Sequence, residues 1–352
     1  MKPVAETLVI LAPGFPANEA DSTCLPAQQA FVRELTASYV NIEIIILAFQ
    51  YPFTSEPYHW NGCRVIPFNG RNKGKTVRLR VWRQAWKTLK KIKSTSHVVG
   101  LFSFWCTECA LLGHYFGRRQ SLPHYTWILG QDARKENKYV RLIRPSATSL
   151  VAMSDFLAAE FARNHGICPG HIITNGIDPA LYGTAPAVKD IDILAAGSLI
   201  PLKRYDMLVR IAGKIAPQLP GIKVLLCGKG PEEEALRLLI RQLQLEDTVI
   251  LQGELPHTAL LQQMQRAKLF LHTSMYEGFS TVCIEALFAG AEVLSFCQPM
   301  EKQIEHWHIV NSEEEMTAGA LAVLQKPSTL PEPSVLFTMK DSAKAVMKLF
   351  GR

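Results

Sequence analysis

Nowhere in the 352-residue chain does an apolar run approach the ~20 residues of a membrane-spanning helix, and there is no low-complexity tract. The N-terminal MKPVAETLVILAPGFP holds an apolar stretch of only about six residues, preceded by Glu6. That is short for a secretory leader and suits a first β-strand, so a cytoplasmic chain is expected. A disulfide framework is missing too. The eight cysteines are scattered, several inside apolar runs (Cys227, Cys283, Cys297), which is how reduced, buried thiols are distributed. Cys106 and Cys109 form one CxxC, but no second pair stands at zinc-ligand spacing, so no structural metal is expected. Acidic residues are absent from Arg71 to Lys93, where ten Lys and Arg lie; the rest of a chain with net charge +7 is slightly negative. The basicity belongs to one element.

What is present is an alternation of strand and helix patterns from end to end. Strands are expected at Thr7–Ala12, Ile42–Ala48, Arg64–Phe68, His97–Phe102, Tyr125–Leu129 and Ser149–Met153, then at Ile191–Ala196, Lys223–Cys227, Thr248–Leu251, Leu269–His272 and Glu292–Phe296. Many are continuously apolar, as strands covered on both faces are. Amphipathic stretches lie between them, such as Pro231–Leu243 with its proline and three glutamates at the start. This is an α/β architecture of βαβ crossovers. Gly183 and Pro186 interrupt the pattern around Tyr182–Asp190, and PSTLPEP, near Lys326–Pro333, sets off a last helix, Thr338–Phe350. Two Rossmann-like, doubly wound domains are expected, at 1–185 and 186–335, followed by a helix in 336–352. Ligands of such sheets bind at the carboxyl ends of the strands, so a cleft between two such domains is the expected place for one.

The segment Tyr276–Leu287, YEGFSTVCIEAL, carries the most chemistry. A strand runs into a loop, then into a helix that Ser280 or Thr281 can cap and Gly290 can end. Glu285 is the one charge in an otherwise apolar helix, and a buried carboxylate needs hydrogen-bond donors. The vicinal hydroxyls of a ribose would serve; so would a neighbouring arginine. Backbone N–H groups around Gly278–Thr281 suit an anion such as phosphate, and Glu277 stands beside them, in reach of a sugar. After the strand Ile191–Ala196, the loop Gly197-Ser198-Leu199-Ile200-Pro201-Leu202-Lys203-Arg204 puts two cations where a helix begins. The helix dipole disfavours them there, unless a multiply charged anion is bound or the pair is simply solvated. Gly228-Lys229-Gly230-Pro231 makes a tight turn that lets backbone approach a ligand. It is not a dinucleotide fingerprint, because Glu233 stands at the third glycine's position.

Taken together, AAGSLIPLKR, LLCGKGPEEEAL, LQGEL and MYEGFSTVCIEALFAGAEVL, in that order between Ile193 and Leu294, resemble the donor-binding domain of glycosyltransferase family 4. Weaker echoes are Pro13-Gly14, Ile128–Asp132 and Asn175–Asp178. The resemblance implies a GT-B fold, with an acceptor-binding first domain, a donor-binding second domain and a final helix returning to the first. It implies retaining transfer from a nucleoside-diphosphate sugar to a glycan or lipid-linked acceptor, with neither cofactor nor catalytic metal. Glu285 would then bind the ribose, Glu277 the sugar and Lys203 the diphosphate, helped by Gly14, Ser198, Arg204, Gly228, Gly278, Phe279 and Ser280. Lys203, Glu277 and Asp132 would be the catalytic group. Two positions depart from the family pattern. Ser198 stands where an arginine is common, with Arg204 as a displaced substitute. Leu129 replaces a histidine near the donor sugar, leaving Asp132 or Ser103–Trp105 to fill the space. These departures sustain a second reading, a catalytically weak sugar-nucleotide-binding subunit that scaffolds a membrane biosynthetic complex. An epimerase lacks an evident proton-transfer pair, and a phosphorylase would need a much longer chain.

Within Val81–Ile92, apolar residues at 81, 82, 85, 86, 89 and 92 form a helical stripe opposite a basic face. The stripe could pack on a sheet beneath solvated lysines. Alternatively, Arg71–Lys93 docks on an anionic membrane with its tryptophans at the interface, which would make the protein peripheral on the inner face. Nucleic acid is not expected as a partner, since no RNA- or DNA-binding motif accompanies the stripe.

Overall fold

A computed structural model describes residues 6–184, 186, 188–326 and 337–352. The chain forms two compact units, Met1–Gly176 with Phe337–Arg352, and Ile177–Leu336. The division therefore falls at Gly176, ahead of the expected break at 185/186. The proline-rich stretch 327–333 and the expected 335/336 boundary lie outside the described residues.

In the first unit the order is β1 (Glu6–Gly14), α1 (Pro26–Ser38), β2 (Ile42–Tyr51), β3 (Tyr58–Trp60), β4 (Cys63–Pro67), α2 (Lys75–Thr95), β5 (His97–Phe104), α3 (Glu108–Gln120), β6 (His124–Ile128), α4 (Lys138–Ile143), β7 (Leu150–Ala152), α5 (Asp155–His165) and β8 (His171–Ile172). Its sheet runs β3-β4-β2-β1-β5-β6-β7-β8. All pairs are parallel except the β3–β4 hairpin, in which Trp60 pairs with Cys63. Asn61 and Gly62 turn that hairpin with positive φ at both residues, the geometry that an Asn-Gly pair favours. β1 buries Thr7 to Ala12 completely, as a central parallel strand covered on both faces must.

On one face, Val81, Ala85, Leu89 and Ile92 of α2 and Cys109, Leu112 and Phe116 of α3 pack over Val9, Leu11, Ile45 and Leu47. Trp82 and Trp86 join this core from its edge. Trp86 meets Phe116 edge-on at 5.1 Å, and the Trp82 indole N–H donates to Glu108 Oε2 at 2.8 Å. Both tryptophans are thus partly buried and packed against the core beneath α2.

In the second unit follow β9 (Ile191–Ala196), α6 (Tyr205–Ile215), β10 (Val224–Cys227), α7 (Glu233–Gln242), β11 (Val249–Gly253), α8 (His257–Arg266), β12 (Ala267–His272), α9 (Thr281–Phe288), β13 (Glu292–Ser295), β14 (Trp307–Ile309) and α10 (Glu313–Leu324). The last helix, α11 (Met339–Leu349), belongs to the first unit. There it lies on α1, the Ser342 hydroxyl donates to Thr174 O at 2.7 Å, and the Phe350 ring meets Tyr125 at 5.1 Å.

The second sheet runs β11-β10-β9-β12-β13-β14. It is the doubly wound order, reversing direction between β9 and β12, and such a sheet binds ligands outside the carboxyl ends of its strands at that reversal. Leu208, Ile211, Ala212 and Ile215 of α6 and Met316 and Ala320 of α10 fill the core over β9, β10 and β12. Lys189, just before β9, is buried, and its ammonium donates to Ala267 O at 2.8 Å and to Gly290 O. Pro231 and Glu232 form a turn before α7 rather than its first turn, because the Glu232 N–H is drawn to Leu199 O at 3.0 Å.

Candidate active site

Three loops leave the carboxyl ends of β9, β10 and β12 and are tied to one another by backbone. The β9 loop follows Gly197, whose N–H donates to Cys227 O at 3.0 Å, and Leu199 N–H reaches Lys229 O at 3.0 Å. A Cβ on Gly228 would stand 1.9 Å from Gly197 O, so only glycine lets these two loops approach so closely. The β12 loop is fastened to the β9 loop by the Thr273 hydroxyl, which donates to Lys203 O at 2.6 Å, and by the Ser274 hydroxyl, which donates to Leu202 O at 3.2 Å.

Two side chains expected at the site meet there. Lys203 ends a single helical turn, Pro201–Lys203, and its ammonium pairs with Glu277 Oε1. Burial alone would raise the Glu277 carboxyl, but the contact with His272 and the charge of Lys203 pull it down to about 2. Arg204 follows in the left-handed conformation (φ 50) and starts α6. Ser198 is exposed on the same loop, while Gly278, Phe279 and Ser280 are buried. Ser280 is the first residue of the α9 turn, yet its hydroxyl does not cap that helix. It faces His272 Nε2 at 3.2 Å. Gly290, at φ 81, ends α9 as expected of a glycine in that place.

Glu285, on α9, is mostly buried, and its Oε1 lies 2.8 Å from His257 Nε2 at the start of α8. The partner within the chain is thus a histidine rather than an arginine. Two histidines that the motifs did not bring forward, His257 and His272, accordingly hold the two glutamates. The signals were a His after Pro256 where a helix opens, and a His ending the apolar strand LFLH.

Asp132 and Gly14 belong to the first unit. Gly14 closes β1, with Phe15 N–H donating to Tyr51 O at 3.1 Å. Asp132 is buried and committed on both oxygens: Oδ1 accepts from Leu129 N–H at 3.1 Å and Gly130 N–H at 2.8 Å, and Oδ2 from Cys106 N–H at 2.8 Å. Burial pushes its carboxyl up, and the amides oppose that. This carboxylate organises the loops after β5 and β6. Ser103 is likewise occupied, 2.9 Å from the ring of His124, whose imidazole desolvation holds down at about 3.

Among the described residues, no group of three or more His, Cys, Asp or Glu is arranged to hold a metal ion. Nor is any described helix long and apolar enough to cross a membrane.

The fold is shared with solved structures. Anabaena Alr3699/HepE in complex with UDP and glucose superposes with a TM-score of 0.68 at 16% identity, over 98% of this chain and 97% of that one. S. aureus TarM, in a complex containing UDP, does so with a TM-score of 0.71 at 10% identity, over 98% and 100%. The architecture is that of the GT-B class. Residues 184–325, most of the second unit, match the family model described as Glycosyl transferases group 1. Curated relatives include the phosphatidylinositol N-acetylglucosaminyltransferase gpi3 subunit of Schizosaccharomyces pombe, 23% identical over 56% of this chain and 45% of that protein. A Campylobacter jejuni N-acetylgalactosamine-N,N'-diacetylbacillosaminyl-diphospho-undecaprenol 4-alpha-N-acetylgalactosaminyltransferase is 28% identical over 53% of each. The chain thus spans about half the length of these relatives.

Proposed function

We propose that the protein is a glycosyltransferase that moves a sugar from a nucleoside-diphosphate sugar to a glycan or lipid-linked acceptor, with retention at the anomeric carbon. The observation that carries this reading is the convergence of Lys203, Glu277 and the start of α9 at the strand-order reversal of the second sheet. Lys203 would meet the diphosphate as a point charge, Glu277 the sugar hydroxyls and Glu285 the ribose. Arg204, Ser198 and the backbone at Gly228 and Gly278–Ser280 would complete the cradle. The chemical task is to stabilise charge on the departing diphosphate and to hold the donor for the acceptor hydroxyl. A carboxylate held ionised beside an ammonium suits binding and orientation rather than proton transfer. No metal or further cofactor is invoked. Incubation with UDP-, GDP-, ADP- and dTDP-sugars, followed by NMR, tests the reading. Slow donor hydrolysis or transfer with an unchanged anomeric configuration supports it; inverted product contradicts retention. Nucleotide binding without any turnover supports the alternative, a sugar-nucleotide-binding subunit scaffolding a biosynthetic complex.

A lipid-linked acceptor would bring the first unit to a membrane, and its charge distribution favours an anionic surface as partner. The outer face of α2 exposes Arg80, Arg83, Lys87, Lys90 and Lys91, and no acidic residue lies on that helix. α3 and α4 are its neighbours in series and add Arg118, Arg119, Lys138 and Arg141, with Leu79, Tyr115 and Leu142 exposed among them. Each cation at such a surface contributes ~1 kcal/mol. The protein would then be cytoplasmic and peripheral on the inner face. Sedimentation with vesicles of phosphatidylglycerol but not of phosphatidylcholine, lost in Arg83→Glu/Lys87→Glu, is the expected result; equal behaviour with both lipids contradicts it.

A further inference from the structure

We propose that His272 is a positioning residue of the donor site, an uncharged hydrogen-bond donor that orients Ser280 beside Glu277; this rests on the donor-site reading above. His272 is the last residue of β12, 4% exposed, behind Phe270 and Leu271, where an apolar side chain would fill the same space. A polar ring in such a place is costly unless its hydrogen bonds are used. Only one nitrogen is used. Nε2 lies 3.2 Å from Ser280 Oγ and 3.6 Å from Glu277 Oε1, while Nδ1 is buried with no hydrogen-bond partner among the described residues.

The arrangement assigns the proton. Burial first, and the nearby charge of Lys203, hold His272 below its ordinary pKa, so the ring carries one N–H. A buried N–H without an acceptor is rarer in proteins than an under-used acceptor. The proton therefore sits on Nε2 and is donated to Ser280 Oγ, beside the Glu277 carboxylate. Ser280 consequently accepts from the histidine and keeps its own O–H to donate, and that hydroxyl does not cap α9. A hydroxyl left with an O–H to give at a helix N-terminus is matched to a phosphate or sugar oxygen, and here the weakly accepting sulfur of Cys283 is its alternative partner. Glu277 is meanwhile held by Lys203, and the uncharged ring beside it brings no second positive charge to compete for that carboxylate.

Because Glu277 and Ser280 would face the sugar side of the donor, His272 is tied to the transferred sugar more than to the nucleotide. The test compares calorimetric affinities for whichever of UDP, GDP, ADP or dTDP the full chain binds with those for its glucose and N-acetylglucosamine conjugates. His272→Phe is expected to bind the diphosphate within about twofold of wild type and the better conjugate about tenfold more weakly. His272→Gln, which retains an N–H donor, is expected to recover part of the loss. Ser280→Ala, which leaves the strand untouched, is expected to shift the same ratio and covers the case in which His272→Phe fails to fold. Equal losses for diphosphate and conjugate, or no loss of either in folded variants, would overturn the assignment alone. Absence of any nucleotide binding by wild type would overturn the donor-site reading and this one with it.

Discussion

His257 Nε2 lies 2.8 Å from Glu285 Oε1, across the space between the first turn of α8 and the middle of α9. The contact occupies one carboxylate oxygen and leaves the other for a ligand. If Glu285 takes a ribose hydroxyl, His257 sets the angle at which it does so. His257→Ala is expected to weaken nucleoside-diphosphate binding by about five- to tenfold, the worth of one ordinary hydrogen bond. Titration calorimetry reads this directly, and unchanged affinity would mean that the histidine serves only α8.

Gly228 is the position least able to accept a side chain. Ala at 228 would place its Cβ 1.9 Å from Gly197 O, backbone against backbone, in a residue with φ 155. Gly228→Ala should therefore destabilise the second unit by ~3 kcal/mol or more. Urea unfolding followed by tryptophan fluorescence would show it, and a midpoint equal to wild type would contradict the described loop packing.

In the first unit, the cations of α2 and the carboxylate beneath the helix should behave differently. Buried Glu108 accepts from Trp82 Nε1 at 2.8 Å and from the Gln50 amide, so Glu108→Ala strands both and should cost ~2 kcal/mol or more. Lys87→Glu and Lys90→Glu change exposed positions and should move stability by less than ~0.5 kcal/mol. Thermal unfolding of the three variants checks the contrast.

Acid should weaken the Lys203–Glu277 pair only well below neutrality. The Glu277 carboxyl is held at about 2 against a reference of 4.5. A depressed carboxyl contributes stability that is complete above the unfolded value and lost as pH falls through 4.5 toward 2. The stability gap between wild type and Glu277→Gln should accordingly be constant near neutrality and shrink between about pH 4.5 and about pH 2. A gap that does not change over that range would show that Glu277 is not held ionised by its neighbours.

Much of this organisation is legible in the sequence, because parallel strands covered on both faces must be apolar. Ile191–Ala196 occurs as read, and β1, β2 and β5 differ only at their ends. The stripe at 81, 85, 89 and 92 likewise announces the buried side of α2. What escaped was short or solitary. β3 has three residues, and only its Asn61-Gly62 turn gave notice of a hairpin; β14 pairs with β13 over three residues. His257 and His272 belong to no spacing pattern, and their chemistry depends on neighbours 28 and eight residues away in sequence. The surroundings of Asp132 were illegible for the same reason, since the three amides that donate to it come from two separate loops.

The central claim, a nucleotide-sugar donor site built on Lys203, Glu277 and Glu285, is tested most directly by calorimetric titration of UDP, GDP, ADP and dTDP into wild type, Lys203→Ala and Glu285→Ala. Preferential binding of one nucleotide by wild type, weakened at least tenfold in both variants, is the predicted result. Failure of well-folded wild type to bind any of the four, or binding that survives both substitutions unchanged, would contradict it.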